Sequence, residues 1–169
     1  MLAALVAFAA QSAFAQDYAR PGVYGQLGVV GAFLSDSDEA AVGASGRLGY
    51  RMTPNLALEG QVDYSGDFAG SSNVKLKSTL VTLNGKFFLM QEQIQPYLMA
   101  GVGGMFAKAG ITGLGSGDES AFVAKVGGGL DFYFTENAAF NVESVYNIGT
   151  GDLSDLDYLG LSLGVSYRF

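Results

Sequence analysis

The sequence predicts an all-β protein, an eight-stranded antiparallel up-and-down transmembrane β-barrel, and three observations carry that expectation. Apolar and polar side chains alternate with period two through eight segments, the connections between segments alternate between short and long, and in the third, sixth and seventh segments charge falls on one parity. The alternation is clearest in the last segment. Leu159, Leu161, Leu163, Val165, Tyr167 and Phe169 share one parity, and Gly160, Ser162, Gly164, Ser166 and Arg168 share the other. An unbroken apolar row at a chain end, where fraying is usual, is better solvated by a bilayer than by a sandwich core.

The segments run in order over residues 22–33, 42–52, 56–65, 75–90, 94–107, 120–134, 138–148 and 158–169. Most are near the length a tilted spanning strand needs. Short turns are expected at 53–55, 91–93 and 135–137, and longer polar loops at 35–41, 66–73, 108–117 and 149–157. Short ends and long ends are the asymmetry of a bacterial outer-membrane barrel, with turns in the periplasm and loops outside.

Parity sorts the side chains strand by strand. In the third segment Leu56, Leu58, Val62 and Tyr64 oppose Ala57, Glu59, Gln61 and Asp63; in the seventh Phe140, Val142, Tyr146 and Ile148 oppose Asn141, Glu143 and Asn147. A soluble lipocalin-like barrel would show the same alternation with its meaning inverted, the charged face in water. The charged face decides between the two. It holds Arg47, Arg51, Glu59, Asp63, Lys86, Lys125, Asp131, Glu143 and Arg168, sparse and mixed in sign, whereas a wet surface is about a quarter to a third charged. These nine are expected to form an ion-pair network in the barrel interior. Arg47 and Arg51 are expected to meet Glu59 and Asp63 across the turn at Pro54, and inward glycines such as Gly49 and Gly129 to receive long cationic side chains from the opposite wall. Outward aromatics gather near both strand ends, Phe33, Tyr64, Phe106, Phe122 and Tyr146 toward the loops and Tyr50, Phe87, Phe132, Phe134, Phe140, Tyr167 and Phe169 toward the turns.

Composition narrows the function. There are no cysteines and no histidines, which removes disulfides, thiolate or imidazole metal sites and every mechanism with a histidine base. The net charge of -7 offers no nucleic-acid footprint. Residues 1–15 form a short apolar run ending Ala13-Phe14-Ala15, the pattern of a secretory signal peptide. The absence of a basic residue ahead of the run reads as truncation at its N-terminus, leaving 16–169 as the barrel domain.

Several stretches, taken in order, resemble the small outer-membrane β-barrel family, the porin-family or OmpA/OmpX-like group of eight-stranded proteins. They are the Gly46-Arg47-Leu48-Gly49-Tyr50-Arg51 stretch followed by Pro54-Asn55-Leu56-Ala57-Leu58-Glu59, then Leu83-Asn84-Gly85-Lys86-Phe87, Pro96-Tyr97-Leu98-Met99-Ala100-Gly101, Gly127-Gly128-Gly129-Leu130-Asp131-Phe132 and the terminal Gly164-Val165-Ser166-Tyr167-Arg168-Phe169. The resemblance implies a multi-pass barrel in the bacterial outer membrane whose terminal residues Leu163, Val165, Tyr167 and Phe169 are read by the barrel-assembly machinery. The expected role is structural or surface-interacting, a monomer surrounded by outer-membrane lipids and presenting acidic extracellular loops on a plugged barrel. The alternative is a narrow porin-like channel for small polar solutes or ions. No enzyme activity, cofactor, metal or nucleic-acid partner is expected, and the loops carry no motif that names a surface ligand.

Overall fold

The computed structural model describes residues 17–34, 40–66, 74–111, 116–149 and 158–169. The expected signal peptide and most of the acidic residues of the longer connections lie outside the described residues. Eight strands follow one another around a closed barrel: β1 (Gly22–Leu34), β2 (Ala40–Arg51), β3 (Leu56–Gly66), β4 (Val74–Phe88), β5 (Ile94–Ile111), β6 (Ser116–Tyr133), β7 (Ala138–Gly149) and β8 (Tyr158–Arg168). Every neighbouring pair is antiparallel, and β1 closes on β8 from Tyr24 opposite Arg168 to Leu34 opposite Tyr158.

One row of partners shows how the barrel is staggered. Starting from Arg168 it passes through Tyr24, Gly49, Glu59, Asn84, Gly101, Lys125 and Asn147 and returns to β8 at Tyr158, ten residues before Arg168. A stagger of this kind tilts strands against the barrel axis, and it brings inward residues from distant strands to one level.

Two corrections to the expected boundaries follow from the pairing. The loop expected over 108–117 is largely strand, because β5 and β6 stay paired out to Gly110 opposite Ser116. Ala109, Gly110, Ser116 and Gly117 give no alternation signal, yet backbone pairing propagates through them without any side-chain requirement. β4 ends at Phe88 rather than residue 90, where Leu89 donates its amide to the Pro96 carbonyl at 2.8 Å and begins the turn.

Two of the tight turns are built alike. The Thr53 hydroxyl accepts the amides of Asn55 and Leu56 at 3.3 and 3.1 Å, and the Thr135 hydroxyl accepts those of Asn137 and Ala138 at 3.3 and 2.9 Å. A side-chain oxygen thus stands in for a backbone acceptor within the bend. Beneath this end, residues 17–20 fold across the lumen mouth: the Tyr18 carbonyl accepts Nη2 of Arg168 at 2.8 Å, the Tyr18 ring packs 5.4 Å from that of Tyr133, and Arg20 donates to Asn137 at 2.8 Å.

The outer wall is predominantly apolar in its described part, with Thr79 and Ser144 among its few polar positions. Leu27, Leu48, Leu83, Leu98, Phe140 and Leu163 all stand exposed, while the alternate positions are buried, as the in-out pattern along β7 shows. Such a surface is stable only against hydrocarbon.

Candidate functional site in the barrel lumen

Because the outward face is committed to lipid, chemistry within the described residues is confined to the lumen. It is filled by polar side chains interleaved with buried apolar ones such as Leu80, Phe88, Met99, Met105 and Val123, and the charged ones are organised in two levels.

The middle level holds Arg47, Glu59, Lys86, Tyr24, Tyr97 and Glu143. Arg47 donates from Nη1 and Nη2 to the two carboxylate oxygens of Glu143, both at 2.6 Å, and its Nη2 also reaches the Ser162 hydroxyl at 3.2 Å. Lys86 lies 2.8 Å from Glu59 and 4.3 Å from the centre of the Tyr97 ring, so the ammonium is held by a carboxylate and a π-face together. Arg47 stands 4.0 Å from Glu59, which links the two pairs. These side chains are essentially inaccessible, and charges so removed from water are tolerable only when paired in this way.

Two tyrosines complete the level by the same construction. Tyr24 on β1 lies over Gly49 on β2 and donates to Glu59 on β3 at 2.5 Å. Tyr97 on β5 lies over Gly129 on β6 and donates to Glu143 on β7 at 2.8 Å. Each ring crosses one strand to reach the next, and a methyl group on either glycine would occupy the ring's place. Gly49 and Gly129 therefore receive tyrosines from adjacent strands, where long cationic side chains from the far wall were expected.

The turn-side level holds Arg51, Arg168 and Asp131. Arg51 donates to Gln95 at 2.7 Å and to the Pro54 carbonyl, and its guanidinium stacks 3.9 Å over the Phe88 ring. Arg168 donates to the Tyr133 hydroxyl at 2.5 Å as well as to Tyr18. Asp131 accepts from Asn141 at 2.7 Å. On the loop side, Lys125 donates to Gln61 at 2.9 Å, and Gln61 in turn donates to Asp63 at 2.8 Å.

All nine predicted lumen residues thus lie inside, and of the expected pairing across the Pro54 turn only Arg47 with Glu59 is formed, at 4.0 Å, as the longer of the two ion pairs Arg47 makes. Arg47 is opposite Gln61 in register and bonds across the lumen to Glu143; Arg51 is opposite Ala57 and finds carbonyl oxygens; Asp63 is served by an amide. The reason is stagger and reach: a guanidinium on a narrow barrel spans the lumen as readily as it reaches a neighbour. Sequence reasoning missed Tyr24, Tyr97 and Gln95, and gave Gln61 and Asn141 an inward face without a partner. A tyrosine on inward parity opposite an inward glycine was the available signal for the first two.

The charged middle level separates two small polar cavities. One of about 30 Å³ on the loop side is lined by residues including Asp63, Ser65, Lys125, Asn147 and Tyr158; one of about 10 Å³ on the turn side is lined by residues including Arg51, Asp131, Tyr133 and Arg168. Each has room for little more than a water molecule or two. Among the described residues no group of three acidic side chains is arranged to hold a metal ion.

The terminal positions Leu163, Val165, Tyr167 and Phe169 all face outward. The rings of Tyr167 and Phe169 meet edge to face at 5.6 Å, and the Phe169 amide donates to the Val23 carbonyl at 3.0 Å, fastening the end of the chain to β1.

The family profile described as "Outer membrane protein beta-barrel domain" matches residues 1–169. No curated protein matches the chain significantly in sequence. Among solved structures, the chain is similar to Neisserial surface protein A, with a TM-score of 0.73 at 21% identity over 88% of this chain and 97% of that one. It is similar to Ail, the attachment invasion locus protein of Yersinia pestis, solved with the heparin analogue sucrose octasulfate, with a TM-score of 0.67 at 20% identity over 89% and 99%. The N-terminal β-barrel domain of Pseudomonas aeruginosa OprF gives a TM-score of 0.65 at 19% identity over 89% and 100%. At these identities the likeness is one of fold.

Proposed function

The chain belongs to the outer membrane protein β-barrel domain family, and from that membership we propose that it is a monomeric outer-membrane body with a plugged lumen whose acidic loop-side connections engage partners at the cell surface. The observation that carries this reading is the Arg47–Glu143 pair with its Tyr97 bond, lying across the lumen between cavities of about 30 and 10 Å³. A wall so occupied supports a display role over transport. The names of two structural neighbours, a surface protein and an attachment invasion locus protein, belong to the same kind of role.

In this reading the tight turns and residues 17–20 face the periplasm, and the connections carrying Asp36, Asp38, Glu39, Asp67, Asp152, Asp155 and Asp157 face outward. Residues 1–15 direct export, and the outward row ending at Phe169 is the signal taken up by the barrel-assembly machinery. We assign no catalytic role, since each buried carboxylate is engaged by a cation or a hydrogen-bond donor. Whole cells displaying the protein, compared with cells in which 35–39 and 150–157 are replaced by short glycine-serine turns, test the reading. Host-cell or matrix binding that is lost with the loops while the barrel stays folded is the expected result, and equal binding by both removes it.

A narrow channel is the second reading, favoured by one observation: a single charged level separates polar cavities on either side. Discrete conductance of the purified protein in a planar bilayer would establish it, and a silent bilayer would remove it.

A further inference from the structure

Among the described residues the lumen holds five cations, Arg47, Arg51, Lys86, Lys125 and Arg168, against four carboxylates, Glu59, Asp63, Asp131 and Glu143. The surplus is not spread along the barrel. At the middle level Arg47 and Lys86 meet Glu143 and Glu59 one for one, and on the loop side Lys125 and Asp63 are both bonded to Gln61. The turn-side level sets Arg51 and Arg168 against Asp131 alone. Asp131 is bonded to Asn141, and among the described residues neither guanidinium comes within ion-pair distance of a carboxylate. The other acids at this end, Asp17, Glu92 and Glu136, stand exposed.

The two guanidiniums nevertheless converge. Nη1 of Arg51 and Nη2 of Arg168 donate to the same Tyr18 carbonyl oxygen, at 3.4 and 2.8 Å, so two like charges are gathered by one neutral dipole. Both residues line the turn-side recess of about 10 Å³, and both are deeply buried, at 1% and 3% exposure. Nε of Arg51, and Nε and Nη1 of Arg168, have no hydrogen-bond partner. Two further donors line the same recess. The Tyr133 hydroxyl accepts from Arg168 and the Ser166 hydroxyl from Asn141 at 3.3 Å, and each keeps its own proton to give. Buried charged donors left unmade are costly, and unpaired buried charge more so.

Charge and size together name the occupant. Water would satisfy the donors and leave the charge, whereas an anion satisfies both. A recess with space for about one water-sized body excludes phosphate, sulfate and carboxylates and admits a single atomic ion. We propose that Arg51 and Arg168 form a binding site for one halide ion, chloride in ordinary salt, at the turn-side end of the lumen, with residues 17–20 folded across the mouth above it. Asp131 limits the site to one monovalent ion, which brings the level to neutrality.

The test uses the full barrel in phosphatidylcholine vesicles, unfolded by urea at constant ionic strength while sodium chloride is exchanged stepwise for sodium gluconate, whose anion is too large for the recess. A ligand that binds only the folded barrel multiplies the folded-to-unfolded ratio by one plus its concentration over Kd, so the ratio should climb toward about tenfold per tenfold rise in chloride as the site fills. The climb should vanish in Arg168→Gln and in Arg51→Gln, which remove the surplus charge, and persist in Arg20→Gln, which removes a turn-end cation outside the recess. Should neither recess variant fold, the wild type still decides: crystals grown in sodium bromide should carry an anomalous peak within hydrogen-bond distance of both guanidiniums. Wild-type stability indifferent to chloride overturns the proposal and gives the recess to water. Equal chloride dependence in the wild type and a folded Arg168→Gln barrel overturns it by placing the ion elsewhere, and bromide crystals without the peak overturn it directly.

Discussion

The Arg47 guanidinium holds the Glu143 carboxylate through two bonds of 2.6 Å, joining β2 to β7 across the lumen although those strands share no edge. Removing one partner of so buried a pair leaves an uncompensated charge, at a cost of about 3 to 5 kcal/mol. Glu143→Gln should therefore lower stability by that order in urea-driven unfolding from lipid vesicles. The Arg47→Leu/Glu143→Leu double variant should recover most of the loss, because both charges leave together. If the double variant is as unstable as the single ones summed, the pair is not coupled as described.

Glycine at 49 is required by the Tyr24 ring, and glycine at 46 by nothing comparable. A methyl group at Gly49 would collide with that ring, whereas one at Gly46 meets only a Leu27 methyl, at 3.8 Å. Gly49→Ala should cost about 1 to 3 kcal/mol by displacing Tyr24 from Glu59, and Gly46→Ala should change stability by less than about 0.5 kcal/mol. Equal effects in the same unfolding assay would mean that the Tyr24 placement is wrong.

Depth in the bilayer separates Leu163 from Val42. Both stand exposed on the outer wall, Leu163 in the middle of β8 and Val42 near the loop-side end of β2. Leu163→Arg should cost about 2 to 4 kcal/mol and Val42→Arg about 0 to 1 kcal/mol. Reversed or equal costs would displace the hydrocarbon belt from where the strands put it. The inward neighbour Ser162 is no mild control, since its hydroxyl accepts from Arg47 and an arginine there would face a like charge.

Residues 17–20 contribute to the turn-side end without being part of the sheet. The Tyr18 carbonyl accepts from both Arg51, at 3.4 Å, and Arg168, at 2.8 Å. A chain beginning at Pro21 should still close its barrel but lose about 1 to 3 kcal/mol, because two guanidiniums lose an acceptor. Refolding into vesicles followed by unfolding measures this. No loss of stability would show that solvent replaces Tyr18 fully.

The strands and their faces were legible because lipid and lumen make opposite demands on alternate residues, so Glu59 and Leu58 announce their sides by chemistry alone. The partners inside were not. Arg47 is close in sequence to Glu59 and bonds Glu143, 96 residues away, because contact across a narrow lumen depends on tilt and stagger, which period two does not encode. Tyr97 was equally hidden: its parity was readable, but its bond to Glu143 exists only because Gly129 leaves the intervening strand bare. Residues 109–110 and 116–117 read as loop because alanine, glycine and serine carry no facial preference, while their backbones pair as well as any.

The seam where β1 meets β8 is hydrogen-bonded like every other junction, with Phe169 tied to Val23 and Arg168 facing Tyr24. To the finished barrel, the break in the chain at that junction is therefore arbitrary. A circular permutant that joins Phe169 to Gly22 through a short flexible linker and opens instead within 67–73 should reach the same closed form when refolded into lipid. It would carry its terminal aromatic in mid-chain. Comparing its spontaneous insertion with its delivery in living cells would separate what that residue contributes as a fastening from what it contributes as an address.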